Sequence, residues 1–223
     1  MCEPFLKNHQ YNALRKQVTA LHRATSTVSD PKVVESVRLG AIAWVREAFP
    51  EATAEQLELL HAFTNMTQSE QFQQYLLTLD SYRTTSLQVT EKQIAKLYPK
   101  IKKLKVPDLR LIDTRKLTYL GWTDIAANRL FLVYRLDGEL VGIEGRTTPA
   151  NKSVCFLCNR IENVGLFTTV AKYRPPGSSP DYYKAIGQYM CLDPNSCNHN
   201  LTDVAPLERF LKEALKPPQE KTI

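Results

Sequence analysis

Glycine, histidine and cysteine are all scarce in this chain, and each scarcity removes a class of protein. Eight glycines among 223 residues rule out a collagenous or glycine-rich low-complexity chain. Four histidines, scattered at positions 9, 22, 61 and 199, suggest no catalytic triad. Phosphate-binding glycine loops, a nucleophile elbow and a His-Glu-x-x-His zinc-protease motif are all missing, so the expectation is a protein that is not an enzyme. No run approaches the roughly 18 to 20 apolar residues that a membrane span needs. Met1, Cys2, Glu3 and Pro4 do not open a basic-then-apolar leader, which points to the cytoplasm and away from a membrane. In that reducing compartment five cysteines do not form a disulfide framework, so metal binding, redox chemistry or burial must account for them.

What is present is ordinary globular material, 43% hydrophobic and 23% charged, enough for one or two domains. The charge is divided unevenly. Residues 1–84 hold eight Lys and Arg against nine Asp and Glu, net −1, whereas residues 85–223 hold twenty-one against fourteen, net +7. Within the basic part, Lys92, Lys96, Lys100, Lys102, Lys103, Lys105, Arg110, Arg115 and Lys116 face only Glu91, Asp108 and Asp113. Such a run is either a solvated surface or a meeting place for an anionic partner.

Residues 1–84 read as four helices. Tyr11, Leu14, Val18 and Leu21 form one apolar stripe on a helix from about Pro4 to Thr25. Asp30 and Pro31 supply an N-cap and a first-turn proline for a second helix with Val34, Val37, Ala41, Trp44 and Ala48 on one face, ending near Pro50. Thr53 with Gln56, and Thr67 with Glu70, match the capping box and predict two more. Short connections make an antiparallel bundle the economical arrangement. His22 and His61 are weak metal candidates, having no acidic or sulfur partner nearby in sequence.

Thr90 with Gln93 is a third capping box, ahead of Ile94, Leu97, Ile101 and Leu104, and Pro99 should end or kink that helix. Strand-like runs follow at Leu117 to Trp122, Arg129 to Leu136 and Glu139 to Gly145, with Asp137 and Gly138 suited to a tight hairpin. Two further strands, about Gly165 to Tyr173 and Ile186 to Cys191, flank a proline-rich loop from Arg174 to Asp181. A last helix begins near Asp203 and carries Leu207, Phe210, Leu211 and Leu215; Lys216 to Ile223 reads as a frayed tail.

Four cysteines fall in two pairs, Cys155 with Cys158 and, thirty-two intervening residues later, Cys191 with Cys197. A Cys-x2-Cys turn brings two sulfurs to one side, and structural Zn2+ wants four such donors at tetrahedral corners. A ligand knuckle, a hairpin, then ligands at a helix start is the layout of a treble-clef zinc finger. The reading is therefore α+β: an N-terminal antiparallel helical bundle (1–84), then an α/β domain (85–223) containing a treble-clef zinc finger, the zinc module spanning about 150–215. Four thiolates close the metal's coordination shell, which argues for a structural ion. His199 is the one nearby substitute ligand, a redox Cys-x-x-C is the rival reading, and Cys2 has no partner.

Specific residues in the second domain resemble a known family. They are Gly121-Trp122-Thr123-Asp124 with Arg129, the Asp137-Gly138 turn, Gly142, then Val154, Cys155, Cys158 and Asn159, and finally Tyr189-Met190-Cys191-Leu192-Asp193 with Cys197 and Asn198. The chain is similar in these positions, in length and in its helical front half to the FusB-type fusidic acid resistance proteins, also called elongation factor G-binding proteins. That resemblance implies a helical bundle, an α/β domain with a four-cysteine zinc site, and binding to the translational GTPase elongation factor G. It further implies that the factor is freed from ribosomes on which fusidic acid has trapped it, with the drug left unmodified.

Contact candidates follow from side-chain chemistry. Phe156 lies between two ligands in a turn, where it either faces a partner or packs inward. Lys184 beside Tyr182 and Tyr183 suits an acidic protein surface, and Phe210 is considered with them, core packing being its other role. Trp122 is assigned to packing and Asp124 to a turn that accepts backbone hydrogen bonds. A zinc-containing RNA- or ribosome-binding protein is the alternative, but the basic run holds only Tyr98 as an aromatic platform, so a protein partner is favoured. A monomer is expected.

Overall fold

The computed structural model describes residues 3–173, 177–179 and 181–215. Cys2, the tail from Lys216, and Arg174, Pro175, Pro176 and Pro180 of the predicted proline-rich loop lie outside the described residues. The chain divides into two compact units, Met1–Thr84 and Thr85–Ile223.

The first unit is helical. Helix α1 (Asn8–Thr27) buries Tyr11, Leu14, Val18 and Leu21. It starts at Asn8 and not at about Pro4 because the residues before it are used otherwise. The Phe5 and Leu6 amides both donate to the Tyr82 carbonyl, at 2.9 and 3.0 Å, and Leu6 is fully buried. Helix α2 (Pro31–Ala48) opens on Asp30, whose carboxylate accepts from the Lys32 amide at 2.9 Å. Helix α3 (Ala54–His61) has its reciprocal cap: the Thr53 amide donates to Gln56 Oε1 at 2.9 Å and the Gln56 amide to Thr53 Oγ1 at 3.3 Å. Helix α4 (Ser69–Asp80) begins one residue further along than the Thr67–Glu70 pattern implies. The reaching side chain is Gln71, whose Oε1 accepts from the amides of Thr67 and Gln68, both at 3.1 Å, and Glu70 is left exposed. Leu14, Val45, Leu60, Phe63, Phe72 and Leu79 form the shared core, and Tyr75 Oη donates to the Leu59 and Leu60 carbonyls at 3.0 Å. His22 stacks near Phe72 with ring centres 4.9 Å apart. The His61 pKa is lowered, first by burial and then by Arg46. Neither histidine belongs to a metal-capable cluster among the described residues.

The second unit is built on a five-stranded antiparallel sheet. Its strands β1 (Leu120–Asp124), β2 (Arg129–Leu136), β3 (Glu139–Pro149), β6 (Val164–Val170) and β7 (Ala185–Cys191) lie in that spatial order. The short pair β4 (Ser153–Val154) and β5 (Ile161–Glu162) stands apart as a second ribbon. Asp137 and Gly138, with φ of 50° and 84°, make the turn that sets Leu136 opposite Glu139. Strand β3 runs past Gly145 because Arg146 to Pro149 pair with β6.

Strand β2 is buried on both faces, and the reason is that each face has its own cover. Leu130, Leu132, Tyr134 and Leu136 pack with Leu207, Phe210, Leu211 and Ala214 of the terminal helix α7 (Ala205–Leu215). Phe131 and Val133 face the opposite way, toward Ile94 and Tyr98 at helix α5 (Glu91–Leu97). Helix α5 stops two residues before Pro99. Ile101 and Leu104, which continue its periodicity in sequence, lie beyond it in irregular chain and still pack on the same cluster. The remaining helix, α6 (Pro194–Asn200), is one short piece directly after β7.

Candidate metal centre and docking surface

Two local devices bring the cysteines together. In the first, the β4–β5 ribbon closes a tight knuckle: the Cys155 amide donates to the Arg160 carbonyl and the Asn159 amide to the Cys155 carbonyl, both at 2.9 Å. Asn159 sits at φ 52°, a left-handed position that asparagine tolerates better than most residues. In the second, Cys191 ends β7, and Asp193 turns the chain by accepting from the Asn195 and Ser196 amides at 2.9 and 3.2 Å. Pro194 fills the first turn of α6, which carries Cys197 back toward the knuckle. This explains the long five-residue spacing: the additional residues are a capped helical turn.

All four Sγ atoms lie within 4.8 Å of one another, with Cys155 to Cys197 at 3.8 Å and Cys158 to Cys191 at 3.6 Å. A tetrahedron with metal–sulfur bonds of about 2.3 Å has edges of about 3.8 Å. Covalent sulfur pairs sit near 2.05 Å, so these are four free thiols. None is more than 5% exposed, and the Cys191 amide donates to Cys155 Sγ at 3.4 Å. Hydrogen bonds from the other three hold the Cys155 thiol far below its ordinary range, while interaction with Cys155 pushes Cys191 and Cys197 far above theirs. Cys158 is also lowered, so two of the four thiols ionise more readily and the other two resist it, which is the electrostatic problem a divalent cation solves. Tyr119 adds to the case. It is completely buried, its hydroxyl has no geometrically satisfied partner, and its pKa is raised by burial and then by Cys197. The donor set, its spacing and this orphaned hydroxyl all fit a four-sulfur metal site. His199 is exposed on α6, and the cluster consists of the four sulfurs without it.

Helix α6 is joined to the chain entering β1 by polar bonds that spacing alone did not reveal. Asn198, next to Cys197 and 2% exposed, accepts from the Thr118 and Tyr119 amides at 2.7 and 3.1 Å. Its Nδ2 donates to the Tyr119 and Pro194 carbonyls at 2.9 and 3.0 Å. That is why β1 starts at Leu120 and not at Leu117. Gly121 lies at the same junction, where a Cβ would stand 2.9 Å from Pro194 Cβ and from the Tyr119 ring. A buried amide following a ligand and a glycine in a strand are the signals that could have drawn attention to them. Trp122 does pack, stacking on Phe131 at 5.0 Å and donating to the Lys105 carbonyl at 2.8 Å, and Asp124 accepts from the Ala127 amide at 3.2 Å.

The contact candidates are placed unequally. Tyr183 is 72% exposed. Lys184 is exposed and paired with Glu213 at 2.6 Å, and Tyr182 is half-buried. Phe156 is half-buried against Phe210, their ring centres 5.3 Å apart. Phe210 itself is only 5% exposed, since it lies on the apolar face of α7 and also meets Phe167. In this position it is a core residue and not an exposed contact.

Residues 95–222 match the family described as FBP C-terminal treble-clef zinc-finger, and residues 5–85 match elongation factor G-binding protein, N-terminal. The chain belongs to the elongation factor G-binding, FusB-type family. Among solved structures it is similar to the fusidic acid resistance protein FusC, with 26% identity and a TM-score of 0.79 over 95% of this chain and 98% of that one. No curated protein matches the chain. The match over 95–222 takes in the β4–β5 knuckle, the β6–β7 hairpin and α6. No helix among the described residues is long and apolar enough to cross a membrane.

Proposed function

We propose that this chain binds elongation factor G and promotes its release from ribosomes stalled by fusidic acid, acting as a monomer by protection and not by altering the drug. The observation that carries the reading is the joint match of a factor-binding N-terminal family and a treble-clef C-terminal family along one chain whose fold resembles FusC throughout. Cys155, Cys158, Cys191 and Cys197 would hold a structural Zn2+ that ties knuckle, hairpin and α6 into one piece. With Asn198 holding α6 to the sheet, little ordering remains to oppose docking. Phe156, Lys184, Tyr182 and Tyr183 would meet the factor, with Phe210 supporting Phe156 from beneath. Release requires more than affinity: the protein must bind better to a conformation of the factor that holds the ribosome weakly, because equal affinity for both states shifts nothing.

The test is co-elution of the purified chain with elongation factor G on a sizing column, beside a Cys155→Ser, Cys158→Ser variant. A complex formed by the intact chain and not by the variant supports the proposal, as does faster loss of the factor from ribosomes held by fusidic acid. Separate elution of the intact chain and the factor refutes it.

A further inference from the structure

The face of the second unit that carries α5 has features the zinc module does not use. Between the segments flanking α5 lies an open apolar recess of about 180 Å3, walled by Leu87, Val89, Leu109, Ile112, Leu117 and Leu120. Apolar cavities near 150 Å3 accept a group the size of benzene, so this one has room for a single large side chain. Leu87, Leu117 and Leu120 are at most 6% exposed and form its floor. Leu111 stands beside it in sequence at 84% exposure, an apolar side chain directed into solvent with no core to join.

The chain that joins the two lining segments is cationic and held in place. Tyr98 Oη donates to the Leu132 carbonyl at 2.9 Å, and Trp122 Nε1 donates to the Lys105 carbonyl at 2.8 Å, so the chain from 98 to 105 is fastened to the sheet at both ends. Arg110 and Arg115 are engaged by Asp108 and Asp113, which cap the two short 3-10 turns Leu109–Leu111 and Thr114–Lys116. Lys92, Lys96, Lys100, Lys102, Lys103 and Lys105 are exposed, and none has a carboxylate partner among the described residues. Six unpaired cations cost self-repulsion that an anionic partner would relieve.

We infer that this face docks an acidic segment of a partner protein, seating one bulky apolar side chain in the recess while carboxylates meet the lysines. The inference goes beyond the reading above and does not depend on which protein supplies the segment. The recess favours a protein over a nucleic acid, because the local rings are already committed: Tyr98 is 5% exposed and edge-on to Phe131, and Trp122 is stacked on Phe131. A nucleic-acid platform would keep such rings available for bases.

The experiment is methyl NMR on the full zinc-loaded chain, titrated with three probes. These are a twelve-residue Asp/Glu peptide with one central Phe, the same peptide with Gly in its place, and a twelve-nucleotide oligouridylate. The Phe peptide should shift the methyl signals of Leu87, Val89, Leu117 and Leu120, and its affinity should fall at least tenfold with the Gly peptide. Val89→Phe and, separately, Ile112→Phe should fill the recess and give the same loss, with the signals of Leu207 and Leu211 unmoved as the check on folding. Lys100→Glu, Lys102→Glu, Lys103→Glu together should weaken the Phe peptide and flatten its salt dependence. Equal binding of the two peptides, or shifts confined to the zinc module, would overturn the inference. So would oligouridylate binding more tightly than the Phe peptide and indifferent to both Phe variants, which would make this a nucleic-acid face. Because no elongation factor G is present, failure here is separate from failure of the proposed function.

Discussion

The two units of this chain achieve rigidity by different means. The helical unit is held by its core: Leu14, Leu21, Val45, Phe63, Phe72 and Leu79 are almost completely buried, and its caps are local to each helix. The sheet unit also has apolar clusters, one on each face of β2, but apart from Leu157 and the cysteines its knuckle and α6 add few buried apolar side chains. There the order comes from four sulfurs and one asparagine. Where apolar area is scarce, directional bonds must replace it, and the geometry they impose is correspondingly strict.

The largest effect should separate the units outright. Stripping metal with a strong chelator, or the double change Cys155→Ser and Cys158→Ser, should collapse the treble clef and leave α1 to α4 folded. The two tryptophans make this readable, since Trp44 lies in the helical unit and Trp122 in the sheet unit. A Trp44→Phe form reports only the second and a Trp122→Phe form only the first. Simultaneous loss of both signals would contradict the division.

The converse experiment is Phe72→Ala, which opens a cavity in the helical core and should cost that unit about 3–5 kcal/mol. Denaturant melts should show the Trp44 transition moved and bound zinc unchanged. Within the sheet unit, Asn198→Ala leaves two buried amides without acceptors and should cost about 3 kcal/mol, lowering zinc affinity as well. Gly121→Ala forces a methyl against Pro194 and should cost about 2 kcal/mol by overpacking at the same junction. Metal retention in competition with a chelator should fall in that order.

The smallest effect belongs to the exposed surface. Arg115 holds the Asp113 carboxyl below its ordinary 3.8 by hydrogen bonding. Its contribution is therefore fully present above the unfolded value and is lost as pH falls through the lower folded one. Replacing Asp113 by Asn should change stability by under about 1 kcal/mol at neutral pH and by less as the solution becomes acid. A large effect at neutral pH would mean that the basic face is tied down more tightly than its exposed pairs imply.

Legibility in the sequence followed the range of the interaction. Caps at Asp30, Thr53 and Thr90, the Asp137–Gly138 turn and the stop before Pro99 are decided within a few residues, and each was readable. The α4 cap slipped by one because Gln71 competes with Glu70 for the same role, and only the helix start chooses between them. Strand β1 starts three residues later than the run from Leu117 predicts because the amides of Thr118 and Tyr119 are claimed by an asparagine some eighty residues away. Phe210 reads in sequence more as core than as contact, and the sheet beneath α7 gives it that core role.

By itself the amino-acid sequence determined a helical first part, a hairpin-rich second part and two cysteine pairs in turns that present sulfur on one side, since all of these rest on short-range geometry. Tertiary structure alone decided that the four sulfurs converge to tetrahedral spacing, that Asn198 and Gly121 govern the junction holding them, and that the segments on either side of the lysine run close an apolar recess. Convergence depends on how β7 and α6 pack against a knuckle more than thirty residues earlier, and no local rule of backbone or side chain contains that information.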